Sequence, residues 1–275
     1  MDGTRTIRVA TWNVHSCVGT DRRHDPARTA AVISELDADV VALQEFQYPA
    51  DIALETRTPV VLERLDRYEC ALGPTLTRLT HSFGNVLLTR HAIRDLRRLD
   101  LSHERREPRG ALAATIEVHG ADLHVVATHL GLRPSERRLQ VRRIMEHIET
   151  LPSGFLVVLG DFNDWLPGRS LVRALDARFG KPPSPPSFPA AWPVLTLDRI
   201  WVHPLATLRT LAVHRSPLAR RASDHLPVVA EIDVALRVAG HRHDVRDAVR
   251  DPASPAMIRA HGASSPHSFV PRRRP

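Results

Sequence analysis

The chain has 275 residues, 43% hydrophobic and 25% charged, a globular composition with length for a large core. Its formal net charge is +7, but residues 237–275 hold eight Arg and three Asp and so carry +5 of it; the nearly neutral body argues against a broad, nonspecific DNA-binding field. Two cysteines are too few for a secreted disulfide scaffold and fit free thiols.

In chain order, "IRVATWNV" (7–14) reads as a strand that ends in polar residues. No apolar leader precedes it, and no run of about 18 apolar residues follows, so the expectation is a cytoplasmic chain without a membrane span. Residues 24–36 read as a helix, with Asp25 as cap and Pro26 in the first turn. "DVVALQEF" (39–46) is a second strand, and 47–66 reads as helical. Strands follow at 68–72, 84–90, 92–101, 110–120 and 122–130, with a hairpin expected at Gly120-Ala121-Asp122. Residues 135–151 give the clearest helix, with Leu139, Ile144, Ile148 and Leu151 toward one side. The strand "FLVVLGDFND", a short helix near 168–177 and a Pro-rich loop at 181–193 come next. The last strands are expected at 197–202, 207–213 and 226–234. Beyond Arg237 the periodicity is lost, and the expectation is a catalytic domain over 1–236 and a basic, disordered tail over 237–275. Many short strands with helices between pairs of them predict an α+β fold, two facing and mostly antiparallel sheets with helices outside.

Several of these strands end at an acid, amide or histidine. The set is Asn13, Glu45, His129, Asp161 and Asn163, with Asp198, Asp224 and His225 just before later strands. A sandwich can gather such ends at one rim. Carboxylates and amides are hard oxygen donors, suited to Mg²⁺ (or Mn²⁺) and not to a thiolate site. Mg²⁺ takes one or two protein carboxylates, so Glu45 and Asp224 suffice as ligands. Asp161 can hold and deprotonate a water, His225 can sit on a phosphate oxygen, and Asp198 can fix its ring.

The fragments "TWNVH", "LQE", "GNVLLTR", "ATHL", "GDFND", "LDRIW" and "SDHLPV" lie in the order and approximate spacing of the endonuclease/exonuclease/phosphatase superfamily, which residues 7–235 resemble. The resemblance implies a four-layer αββα sandwich and metal-dependent phosphoester hydrolysis. It implies Glu45 as principal metal ligand with Asn13 beside the metal, and Asp224 as a metal-site carboxylate. It implies Asp161 and Asn163 as the pair that orients and activates water, and Asp198 and His225 as a supporting dyad. His129 stands where deoxyribonucleases and sphingomyelinases carry histidine and AP endonucleases carry tyrosine, a departure from the abasic-site repair pattern. Arg109 matches a position near substrate phosphate. The expected activity is that of a Mg²⁺-dependent phosphodiesterase or phosphatase acting on a phosphoester. A DNA or RNA nuclease is the alternative, and a catalytically silent binding module with a basic tail is the alternative of another class.

Overall fold

The computed structural model describes residues 4–50, 65–165 and 172–235. Alternation of apolar side chains explains the layering. In β1 (Thr4–Asn13), Ile7 and Val9 face one way and Ala10 and Trp12 the other, all of them buried. A strand apolar on both faces needs cover on both. A turn of 3-10 helix (His15–Cys17) leads to α1 (Pro26–Leu36), whose first turn is capped by Asp25 accepting from the Arg28 N–H at 3.0 Å. Helix α1 packs Ile33 and Leu36 beneath Trp12 and returns the chain to β2 (Val40–Pro49), parallel to β1.

An antiparallel pair follows, β3 (Glu69–Thr77) and β4 (His81–Thr89), which docks on β2. The second sheet then starts with β5 (Ile93–Asp100), β6 (Gly110–Val118) and β7 (Ala121–His129). The β6–β7 turn sits on His119 and Gly120, one residue earlier than expected. Both have positive φ, 50° and 80°, as a two-residue hairpin of the type that matches strand twist requires. Helix α2 (Pro134–Ile148) crosses over to β8 (Phe155–Asp161), parallel to β7. Helix α3 (Arg173–Phe179) precedes β9 (Asp198–His203), β10 (Leu208–Val213), α4 (Pro217–Ala222) and β11 (Val228–Ala235).

The strands form a six-stranded sheet, β10-β11-β1-β2-β4-β3, and a five-stranded sheet, β5-β6-β7-β8-β9. Each sheet holds one parallel pair, bridged by one helix. Between the sheets Ile7, Val9, Ala42, Val125, Val157 and Ile200 join one core cluster. A second cluster lies under α1 and α4, and a third under α2 and α3. The αββα layering is therefore as the sequence led one to expect. All described residues belong to one unit, Met1–Ala239.

Some expectations shift. Of residues 47–66, read as helical, 47–49 continue β2, 50 and 66 lie in turns, 65 is in a 3-10 turn, and 51–64 lie outside the described residues. The start of the helix expected at 168–177 and the whole 237–275 tail also lie outside them; α3 begins at Arg173. Helix α4 was not anticipated, although Ser216 caps it and Pro217 opens it. Cys17 and Cys70 are free, and burial pushes their thiols up to about 11 and about 12. Among the described residues no helix is long and apolar enough to cross a membrane.

Candidate functional site

Strand register builds the centre of the site. His129 at the end of β7 lies opposite Asp161 of β8, and Asp161 lies opposite Asp198 of β9. Three titratable residues thus stand in one row across the five-stranded sheet. The last turn of β8 explains the crowding in "GDFND". Gly160 has φ of 150°, and a Cβ there would collide with the Thr128 carbonyl oxygen of β7. Asp161 Oδ1 then accepts the Asn163 N–H at 2.9 Å, closing an Asx turn with Asn163 at φ of 49°. Phe162, fully buried edge-on against Trp201 at 4.7 Å, anchors the turn. Gly160→Ala is expected to destabilise the fold by about 2–4 kcal/mol, because backbone must move. A melting temperature equal to that of the parent chain would contradict this.

The six-stranded sheet supplies the facing residues. Between Leu43 and Phe46 the register of β2 against β4 slips, so that Gln44 and Glu45 oppose the single residue Asn85. Glu45 takes φ of 55° in this bulge. A non-glycine residue held there is strained, and the bulge re-aims its side chain. Asn13, at the end of β1, donates from Nδ2 to Glu45 Oε1 and to Asp161 Oδ2, both at 3.0 Å, and so ties the two sheets together. Its Oδ1 accepts the His15 N–H at 3.0 Å.

His225 enters from the loop between α4 and β11. Its Nδ1 meets Asp198 Oδ2 at 2.9 Å, and its Nε2 lies 3.9 Å from Asp161 Oδ2. Burial alone draws this imidazole down, but Asp198 at its side, with Asp161 and Asp224 nearby, outweighs that and pushes it up to about 10. His129 goes the other way: burial pulls it to about 3, so its ring is neutral. Asn163 Nδ2 donates to His129 Nε2 and to the Leu130 carbonyl, each at 3.0 Å. Arg109 Nη1 lies 3.4 Å from His129 Nδ1 and 3.2 Å from Glu107 Oε1. Asp224 stands half-exposed, 3.7 Å from His15 Nδ1.

Of the nine residues singled out in the sequence, eight line one cleft of about 500 Å³. Asp198 is the exception and sits fully buried behind His225. The supporting residues escaped the sequence reading. Ser187 of the Pro-rich loop donates a short hydrogen bond to Asp198 Oδ2. Trp12 Nε1 holds the His225 carbonyl at 2.9 Å, and Ser223 joins the Asn13 carbonyl to the His225 N–H. Asn85 and Thr128 both donate to the Gly110 carbonyl and fix the turn that carries Arg109. His15, in the 3-10 turn after β1, faces Asp224. "SDH" and "GNV" contained two of these, but only tertiary contact reveals their use.

Two groups of donors compete as a cation site. Asp161, Asp198 and His225 bring one ligand atom each within 4.8 Å of one another. His225 Nδ1 and Asp198 Oδ2 are already engaged with each other, and Asp198 Oδ2 also accepts from Ser187. That trio is better described as a hydrogen-bonded His225–Asp198 pair that faces Asp161 across 3.9 Å. The rim set of Glu45, Asp224 and Asn13 Oδ1 is all hard oxygen. Burial, then the charge of Asp161, pushes the Glu45 carboxyl up, against the Asn13 hydrogen bond. Such a carboxylate wants a positive charge beside it, so the residues present fit a divalent cation.

The family model for the endonuclease/exonuclease/phosphatase family matches residues 10–225. The chain is 30% identical over 251 residues to Escherichia coli K12 "Uncharacterized protein YbhP", covering 82% of this chain and 96% of that one. Among solved structures, an endonuclease/exonuclease/phosphatase from Beutenbergia cavernae is similar at 26% identity and a TM-score of 0.69, over 84% of this chain and 72% of that one. D. rerio TDP2, solved with a single strand DNA product, shares the fold at 18% identity and a TM-score of 0.59, over 82% of this chain and 98% of that one. With the match spanning β1 through His225, this chain belongs to the endonuclease/exonuclease/phosphatase family.

Proposed function

We propose that the chain hydrolyses a phosphodiester with water activated at Asp161, using Mg²⁺ or Mn²⁺, and that it works in the cytoplasm. Family membership supports a phosphoester hydrolase of the nuclease or phosphatase kind. The observation that carries the finer reading is the meeting of Asn13, Glu45, His129, Asp161 and His225, from three strand ends, the β2 bulge and a loop, in one cleft. Glu45 and Asp224 would hold the cation, with Asn13 beside it. When bound, the cation would supply neutralising charge to a phosphoryl oxygen.

The chain's own residues do the rest. Asp161 accepts the proton of the attacking water. Asn163, whose amide hydrogens go to His129 and Leu130, has Oδ1 left to orient that water. His225 donates from Nε2 to a phosphoryl oxygen, and Asp198 on Nδ1 fixes the ring. Neutral His129 borders Arg109, and that guanidinium binds a second phosphoryl oxygen. Positioning and charge stabilisation are what phosphoryl transfer chiefly needs. A nucleic-acid strand as substrate is the second reading, favoured by the DNA product held by D. rerio TDP2.

Glu45→Gln tests the cation site. The variant should keep its melting temperature within a few degrees, because Glu45 sits at the rim and packs little core. Its activation by Mg²⁺ should shift to metal concentrations about 10-fold higher or more. An unchanged metal-activation curve would remove Glu45 from the site.

A further inference from the structure

Resting on the hydrolase reading above, we propose that Trp165 is a platform on which a flat apolar arm of the substrate stacks, beside the phosphoryl site. Beside its charged and amide residues, the cleft is lined by Leu132, Trp165, Phe188 and Leu195. Two of these are left largely in water, Leu132 at 59% and Trp165 at 40% exposure. Large apolar side chains exposed beside a polar reaction centre mark a surface that a ligand covers.

Trp165 differs from the rest in how it is held. It lies two residues after Asn163, so the Asx turn that sets Asn163 also sets the start of its loop. The Arg137 guanidinium lies over its ring, 5.6 Å from the centroid. Arg137 is itself 1% exposed and does not line the cleft. It donates to the Leu132 carbonyl at 2.7 Å and the Gly131 carbonyl at 3.3 Å, and lies 3.7 Å from Asp164 Oδ1. Gln140, equally buried, accepts the Gly131 N–H at 2.8 Å. A buried clamp on α2 thus joins the loop after His129 to the loop after Asn163, and holds the indole from behind. An aromatic ring fixed in advance binds another with little loss of side-chain freedom. Flat partners gain offset-stacked or edge contacts with an indole that saturated groups of the same size do not. The arm is therefore an aryl ring, from a nucleobase or from a simpler aromatic ester.

The test compares phosphodiesters of hexafluoroisopropanol, a leaving group without a ring, that differ only in the second arm: methyl, cyclohexyl, phenyl and thymidin-5′-yl. Each is assayed with the intact chain and with Trp165→Ala and Trp165→Phe. The parent chain is expected to show a KM about 10-fold lower for the phenyl than for the methyl or cyclohexyl arm, with similar kcat. Trp165→Ala should erase that preference and leave the methyl ester's kcat/KM within about twofold, and Trp165→Phe should restore most of it. A gain for phenyl alone assigns a simple aryl arm; a gain shared by thymidin-5′-yl assigns a nucleobase. Equal KM for methyl and phenyl arms, a cyclohexyl arm as good as phenyl, or a preference that survives Trp165→Ala would overturn the platform. Absence of turnover on the methyl ester would instead overturn the hydrolase reading itself.

Discussion

Asp161→Asn should lower phosphodiester turnover by about 10³-fold while the protein stays folded. Asp161 is 1% exposed, so its carboxylate is not a solvated surface charge. Its Oδ1 holds the Asn163 N–H, a bond that an asparagine oxygen can keep. Its Oδ2 faces the Asn13 amide, with His129 Nε2 at 3.6 Å and His225 Nε2 at 3.9 Å. An amide nitrogen in that place has no proton affinity and points a donor at a donor. The mismatch costs about 1–3 kcal/mol of stability, readable as a modest fall in melting temperature. Loss of the water's proton acceptor costs much more in rate. Turnover within a few-fold of the parent chain would show that Asp161 is structural, and that the row of His129, Asp161 and Asp198 arises from strand pairing alone.

The second large effect concerns Asp198 and His225. Asp198→Asn keeps the size of the side chain but gives up the charge that Ser187 and His225 both address. The imidazole loses its orienting partner while its backbone stays held by Trp12 and Ser223. Turnover is expected to fall about 10²-fold, with KM changed less than about threefold. His225→Ala should fall at least as far, since it removes the donor itself. Because the two residues act as one unit, the double variant should be little worse than the poorer single variant. Losses that multiply in the double variant would mean that the two side chains work independently.

How far the sequence carried the reading depends on whether a feature is local. Motif fragments named the residues that reach the cleft, because each lies in or beside a strand whose apolar run is visible in one dimension. The four layers were legible for the same reason: β1, β2 and β8 are apolar on both faces and so demand cover on both. Neither the adjacency of His129, Asp161 and Asp198 nor the bridge from Asn13 to Glu45 was legible, since pairing register and sheet packing set them. Ser187 lies 11 residues before Asp198 in a Pro-rich loop, and its sequence context gives no sign of a buried partner. The Glu45 bulge depends on what β4 places opposite it. Helix α4 was legible and was missed: Ser216 followed by Pro217 is a start signal, but six residues give too little periodicity to notice. Arg137 and Gln140 are polar positions of α2, and polarity alone marks neither as buried. Their burial beneath two cleft loops follows from where α2 lands on the sheet.

The most direct measurement of the central claim is hydrolysis of bis-p-nitrophenyl phosphate in ¹⁸O-labelled water, with EDTA and then with Mg²⁺ or Mn²⁺ restored. The account predicts no turnover in EDTA, turnover on adding the cation, and one ¹⁸O atom in each molecule of p-nitrophenyl phosphate formed, since attack by water breaks the P–O bond. Full turnover in EDTA, or a phosphate product without the label, would contradict it.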